Sequence, residues 1–81
     1  MTGQATKPLL VRVQYRGFYI EAVPFFSLKE PGWKAKALIW RHTGEPIEQF
    51  VDDPTGATFS TREHAVHASL FLGRKWVEGR S

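Results

Sequence analysis

Apolar and polar residues alternate with a period of two at the start of the chain. The odd positions of the first such segment are all apolar: Leu9, Val11, Val13 and Tyr15. Arg12 and Gln14 occupy positions between them, and this alternation is typical of a half-buried strand. Arg16 and Gly17 then predict a tight turn, because glycine adopts positive φ without strain. Residues 18–23 alternate again, so the sequence predicts a β-hairpin.

A proline and a turn separate this hairpin from the next alternating segment. Pro24 has no N–H to donate to a ladder, so we expect the second strand to leave the sheet there or to run along an edge. Residues 33–41 then alternate as one strand. Its two faces would carry Trp33, Ala35, Ala37 and Ile39 on one side and Lys34, Lys36, Leu38 and Trp40 on the other. A turn at 42–46 and a short strand at 47–51 are expected to follow.

A helix is predicted to follow a cap at Ser60 and to run to about Glu78. Ser60 and Glu63 have the spacing of a capping box, in which each side chain bonds the backbone N–H of the other residue. Gly79 predicts a left-handed stop at the other end. Four residues fall on one stripe of the helical wheel and are expected to face the sheet: Ala65, Ser69, Leu72 and Trp76.

These elements together predict an α+β fold with a three- to four-stranded antiparallel sheet, built from a β-hairpin, and one C-terminal helix packed on one face. A chain of 81 residues leaves room for one domain. We expect residues 1–8 to be a flexible N-terminal tail and residues 9–79 to be that single domain. The expected core residues are Val11, Val13, Ile20, Trp33, Ile39, Phe59, Ala65, Leu72 and Trp76.

Composition narrows the classes of function. Hydrophobic residues make up 42% and charged residues 23% of the chain, which is typical of globular proteins. The absence of cysteine excludes a disulfide scaffold, a thiolate zinc site and a cysteine nucleophile. Eleven Lys and Arg against eight Asp and Glu give a net charge of +3, and the two signs are interspersed. This mild basicity permits an anionic partner without requiring one.

Two further features concern the cellular setting. No apolar run approaches the roughly 20 residues that a membrane-spanning helix needs. The first residues also lack the apolar region of a signal peptide. We therefore expect a soluble, cytoplasmic protein without a membrane partner.

The residues that could carry catalysis or bind metal have simpler interpretations. His64 and His67 are three residues apart on the predicted helix, but they lie opposite its buried stripe, and a zinc site needs at least one more ligand. His42 belongs to a distant turn. Asp52 and Asp53 precede a proline, which is ordinary turn chemistry. With no glycine-rich phosphate loop and no serine-nucleophile motif, the sequence predicts no catalytic residue, no metal site and no cofactor.

The sheet face away from the helix is the candidate interaction surface. It combines cations with large apolar side chains: Arg12, Tyr19, Lys34, Lys36, Leu38 and Trp40. Leu38 and Trp40 are large apolar groups on the solvent side, which favours a face covered by a protein partner or a second copy. The predicted function is a non-catalytic protein-interaction or self-associating module. The alternative is a single-stranded nucleic-acid-binding accessory protein, in which cations bind phosphates and rings stack on bases.

Several segments resemble small bacterial stand-alone domains of uncharacterised function, which consist of a β-sheet followed by one C-terminal helix. The similar segments are residues 15–22, 31–35, 59–65 and 73–77. The resemblance implies the same fold and a bacterial cytoplasmic setting, and it brings no catalytic residues. Double-stranded RNA-binding domains also place a helix after three strands, but this chain lacks their first helix and their lysine-rich helix start.

Overall fold

The computed structural model describes residues 11–41, 44 and 47–80. In this part of the chain the elements are β1 (Val11–Tyr15), β2 (Phe18–Ala22), β3 (Phe25–Ser27), β4 (Gly32–Lys34), β5 (Lys36–Arg41), β6 (Ile47–Asp52) and α1 (Arg62–Gly79). The predicted tail at 1–8, the predicted strand start at Leu9 and most of the predicted turn at 42–46 lie outside the described residues.

Four strands form an antiparallel sheet in the order β1-β2-β5-β6, and β3 pairs with β4 in a second, two-stranded sheet. Helix α1 packs on the central strands β2 and β5 of the larger sheet. The predicted α+β fold, with an antiparallel sheet and one C-terminal helix on one face, is confirmed. The second sheet is an addition that the sequence pattern did not indicate.

The predicted hairpin is present as β1 and β2. Val13 pairs with Ile20 and Tyr15 with Phe18, so the apolar sets of both strands share one face. The turn between the strands has positive φ at both central residues, 52° at Arg16 and 84° at Gly17. Positive φ at both positions is the geometry that two-residue hairpins prefer, because it matches the twist of the strands.

The prediction of one continuous strand over 33–41 is wrong. Ala35 separates β4 from β5, and Trp33 belongs to the second sheet. Two contacts from distant parts of the chain explain the break. The backbone of Trp33 bonds that of Phe59 in both directions, at 2.9 and 2.8 Å. The Lys36 N–H donates to the Ser69 hydroxyl of α1, at 3.0 Å.

The helix begins one residue later than the capping-box pattern predicts. Thr61 is the N-cap, and its hydroxyl accepts a hydrogen bond from the His64 N–H at 3.2 Å. The prediction of Ser60 as the cap is therefore wrong. The backbone bonds of Phe59 to Trp33 hold the chain extended up to residue 59, so the first helical turn forms further along.

The predicted left-handed stop at Gly79 is also wrong. Gly79 is the last residue of α1, and Arg80 follows as the C-cap in a right-handed conformation, with φ −91° and ψ −14°. The Arg80 N–H donates to the Val77 carbonyl at 3.1 Å. This bond occupies a carbonyl of the last turn, so the helix ends without a left-handed residue.

The core lies between α1 and the central strands of the larger sheet. Its buried hydrophobic residues are Phe18, Ile20, Ala22, Ala35, Ala37, Ile39, Ala65, Val66, Leu70 and Val77. Of the predicted core, Ile20, Ile39 and Ala65 are buried. The other predicted members are half-buried: Val11, Val13, Trp33, Phe59, Leu72 and Trp76.

The buried stripe of α1 contains Gly73 and Val77 where the sequence predicted Leu72 and Trp76, and the small size of Gly73 explains this difference. A Cβ atom at this position would lie 2.3 Å from Cγ2 of Ile20, so the helix backbone approaches the sheet closely here. The line of closest contact therefore runs through Gly73 and Val77. Trp76 lies beside it and packs edge-on against Phe18, with 6.0 Å between ring centroids.

Candidate interaction face

One side of the larger sheet is not covered by α1, and we call it the open face. Strand alternation decides its members, because residues next to buried core positions point the other way. The open face carries Arg12 and Gln14 from β1, Tyr19 and Glu21 from β2, Lys36, Leu38 and Trp40 from β5, and Glu48, Phe50 and Asp52 from β6. Five of the six residues predicted as an interaction surface belong to this set.

Two aromatic rings stack at the centre of the open face. Tyr19 and Trp40 are cross-strand partners, with ring centroids 5.4 Å apart and ring planes at 21°. The Arg12 guanidinium lies 4.9 Å from the centre of the Trp40 ring. The same guanidinium pairs with the Glu21 carboxylate at 3.2 Å. The rings and the charged groups therefore hold one another in place.

Lys36 lies between two exposed rings. Its ammonium group is 5.2 Å from the centre of the Phe50 ring and 5.7 Å from that of Phe25. Phe50 is 54% and Phe25 45% exposed, which is unusual for side chains of this size. The ammonium also pairs with Asp52 at 3.7 Å.

The structure places Lys34 in β4 of the second sheet, apart from the other five predicted surface residues. Its ammonium donates to the Glu30 carboxylate at 2.6 Å and to the Gly56 carbonyl at 2.8 Å. The hydrogen bond from Lys34, supported by its charge, lowers the pKa of Glu30. Lys34 therefore ties two loops together.

The charges of the open face are largely balanced within it. Two cations, Arg12 and Lys36, pair with Glu21 and Asp52. Glu48 makes no ion pair within the described residues. The face therefore carries more carboxylates than cations, although the whole chain is basic.

Sequence reasoning missed two exposed rings, Phe50 on the open face and Phe25 beside it in the second sheet. Phe50 pairs with Leu38 across β5 and β6, so both side chains lie on the same side of the sheet. Residues two apart on a strand lie on the same face, so Phe50 could have been assigned to the face of Glu48 from the sequence. Phe25 reaches Lys36 only because the chain folds into the second sheet after Pro24, which no local pattern indicates.

The structure places the histidines and aspartates considered in the sequence analysis as follows, and Asp52 is the last residue of β6 on the open face. His64 and His67 are exposed on α1, whereas His42 lies outside the described residues. No group of three His, Asp or Glu side chains that could hold a metal ion exists among the residues searched, which are the described ones. Asp53 accepts hydrogen bonds from the N–H and hydroxyl of Thr55, at 2.9 and 2.7 Å, as in a turn.

Comparisons with protein-family models, with curated proteins and with solved structures found no match. The resemblance to small bacterial domains therefore stays a prediction. Within the described residues, no helix is long and apolar enough to cross a membrane.

Proposed function

We propose that this protein is a non-catalytic interaction module whose open face binds a second copy of the chain. The observation that carries the proposal is the exposure of Phe50 beside Leu38 on the open face, whose cations are already paired, and of Phe25 on the other side of Lys36. Covering such rings with another apolar surface is favourable at roughly 25 cal/mol per Å².

The charge arrangement favours a protein partner over a nucleic acid. A phosphate backbone is bound by cations that can exchange small counterions for phosphates. Arg12 and Lys36 are paired with carboxylates, and Glu48 adds a further negative charge on the same face. Binding to phosphates would therefore have to break two ion pairs and bring like charges together.

The distribution of side chains suits a two-fold dimer. A two-fold axis parallel to the strands places β1 of one copy over β6 of the other. Arg12 of each copy then lies over the column of its partner that contains Glu48 and Phe50, and at the centre Tyr19 of each copy lies over the partner's Trp40. An interface of this kind is self-complementary.

The area of the face is adequate for a specific dimer. Four strands about 4.8 Å apart and roughly 20 Å long present about 400 Å² in projection. Side chains roughen this surface, so each copy would bury on the order of 600–800 Å², close to the roughly 800 Å² per partner of specific interfaces.

We also propose the cytoplasmic setting, since a chain without cysteine needs no oxidising compartment.

The test is the solution mass from micromolar to submillimolar concentration, measured by sedimentation equilibrium for the wild type and two variants. Phe50→Ala removes an exposed ring from the open face, whereas Phe71→Ala removes a ring that is 58% exposed on α1. We expect a concentration-dependent dimer that Phe50→Ala weakens by tenfold or more, about 1.4 kcal/mol or above. Phe71→Ala should leave the dimer unchanged.

Two results would overturn the proposal. One is a wild-type protein that stays monomeric over the whole range, and the other is equal weakening by the two substitutions. A monomer that binds single-stranded oligonucleotides with a steep dependence of affinity on salt would favour the nucleic-acid alternative instead.

A further inference from the structure

Strand β6 is an edge of the larger sheet, because among the described strands only β5 pairs with it. An edge strand presents unpaired backbone N–H and C=O groups along its outer side. Four consecutive positions that cover both faces of the strand include only exposed side chains until Val51: Glu48, Gln49 and Phe50, with Asp52 exposed beyond it. The outer side of β6 is therefore open to solvent. It faces sideways, in the plane of the sheet, and is distinct from the open face.

The hydrogen bonds of β5 show which residues of β6 turn their backbone groups outward. The Val23 N–H donates to the Lys36 carbonyl at 2.9 Å, so Lys36 directs its backbone toward β2. Successive residues of an antiparallel strand alternate between their two neighbours, so Ile39 directs its N–H and C=O toward its partner Gln49 in β6. The residues of β6 that alternate with Gln49 therefore direct theirs away from the sheet, and these are Glu48, Phe50 and Asp52.

The side chain of Gln49 occupies one of these outward groups. Its Nε2 donates to the Phe50 carbonyl at 2.8 Å. Gln49 itself lies on the helix side of the strand, because it pairs with the buried Ile39. Its side chain must bend around the edge to reach this carbonyl, which agrees with the outward direction derived from β5.

The edge of β6 has few of the features that prevent strands from pairing with other chains. Such features include lysine, proline and bulges. Residues 47–52 contain neither lysine nor proline, and their register with β5 is regular throughout. The Gln49 side chain is therefore the group that blocks this edge, and a side chain can rotate away.

The charges of β6 select the chemistry of its partner. Glu48 makes no ion pair within the described residues, and Asp52 is 72% exposed although it pairs with Lys36 at 3.7 Å. A second β6 added antiparallel and centred on Phe50 would place Glu48 opposite the partner's Asp52, and like charges directly opposite are destabilising. A strand with cations at these two positions would instead meet a carboxylate at each.

We propose that the β6 edge binds an extended segment of another protein that carries two cations four residues apart and an apolar residue midway between them. The backbone of the added strand pairs with the outward groups of β6, and the side chains of Glu48, Phe50 and Asp52 select the sequence. Binding displaces the Gln49 side chain from the Phe50 carbonyl. The inference does not depend on dimerisation through the open face.

The test is an NMR titration of the isotope-labelled full chain with a synthetic peptide whose ends are acetylated and amidated. Its residues are serine, lysine, threonine, valine, threonine, lysine and serine. In an antiparallel pair centred on Phe50, the valine N–H points toward β6 and the threonine N–H groups point away. One control peptide is therefore N-methylated at the valine and a second at a threonine. A third carries glutamate in place of both lysines.

We expect the peptide to shift the amide signals of Glu48, Phe50 and Asp52 and to slow their hydrogen exchange. N-methylation of the valine should weaken binding about tenfold or more, because it removes a backbone donor, whereas N-methylation of a threonine should not. The glutamate peptide should also bind about tenfold or more weakly, since it brings like charges together.

Variants of the protein test the two side-chain roles. Gln49→Ala should tighten peptide binding about threefold, because it frees the Phe50 carbonyl, and it leaves the open face unchanged. Glu48→Gln should weaken binding about threefold. Its matched control is Glu63→Gln, which removes an exposed carboxylate from the first turn of α1 and should have no effect. Urea unfolding of each variant reports whether it folds.

Four outcomes would overturn the proposal. They are no binding at millimolar peptide, equal binding of the two N-methylated peptides, equal binding of the lysine and glutamate peptides, and slowed exchange of the Phe50 amide in concentrated protein without peptide. The last result would show that a second copy occupies the edge.

Discussion

Replacing Gly73 with alanine adds one methyl group where α1 touches the sheet. That methyl carbon would lie 2.3 Å from Cγ2 of Ile20 and 3.3 Å from two further atoms of the same side chain, whereas ordinary contacts begin at 3.4 Å. Ile20 is fully buried between the helix and the sheet, so its side chain has no space to move into. The helix and the sheet must therefore separate, or Ile20 must leave its rotamer.

Two opposing effects set the size of the change. Alanine is favoured over glycine within a helix by about 1 kcal/mol. Adding a methylene-sized group to a filled core costs about 1–3 kcal/mol, and a shift of more than 1 Å against a fully buried side chain belongs to the upper half of that range. We therefore expect Gly73→Ala to lower the free energy of unfolding by about 1–2 kcal/mol.

The assay is urea unfolding of Gly73→Ala beside Gly79→Ala. A Cβ atom at Gly79 would meet nothing within 4 Å. Gly79→Ala therefore changes the helix propensity of α1 but adds no contact with the sheet. Truncating Ile20 to alanine in the Gly73→Ala background should make the two substitutions less destabilising together than the sum of their separate effects. A Gly73→Ala protein at least as stable as Gly79→Ala would refute the argument from close approach.

Two other predictions follow from polar contacts. Ser69→Ala should cost about 1–3 kcal/mol in urea unfolding, because it leaves the Lys36 N–H without its acceptor beside the core, whereas Ser60→Ala at an exposed position should cost much less. The hydrogen bond from Tyr15 lowers the pKa of Glu78, and the same bond raises the pKa of Tyr15. This bond therefore stabilises the fold fully between pH 4.5 and pH 10.0, the ordinary pKa values of the two side chains. The stabilisation is lost as pH falls through the lowered pKa of Glu78. It is also lost as pH rises through the raised pKa of Tyr15. The urea midpoint of Tyr15→Phe should vary less with pH than that of the wild type at both ends, and an unchanged pH profile would contradict this.

The parts of the fold that could be predicted are those that local alternation decides. On a strand, successive side chains point to opposite faces, so the pattern of residues 18–22 was enough to separate the buried Ile20 from Tyr19 and Glu21. The same reasoning placed Leu38 and Trp40 on the solvent side of β5. The hairpin turn at residues 16–17 was also decided locally, by its length and its glycine.

The parts that were predicted wrongly depend on contacts between distant residues. Ser60 and Thr61 are both good capping residues, and the bridge between Trp33 and Phe59 decides between them. The same bridge, together with Ser69, divides the predicted strand at Ala35. Neither contact has a signature in the short segments that it joins.

The cavity lined by Arg16, Phe18, Arg41, Val77 and Arg80 depends on contacts between distant residues in the same way. Arg16, Arg41 and Arg80 belong to three unrelated local patterns, and each is an ordinary surface residue in its own segment. Only the register of β2 and β5 and the end point of α1 bring them together. No sequence motif therefore indicates this cavity. The open face, in contrast, could be predicted from the alternation within each strand.

The position of α1 after all six described strands has a consequence for synthesis of the protein. Ile20 and Ile39 are covered by a helix that leaves the ribosome after these strands, so the emerging strands hold an apolar face open to water. A hairpin alone is marginally stable. The core around Ile20 and Ile39 can therefore close only when residues up to about Val77 have emerged, and before that point the nascent strands are the segments that a chaperone would bind.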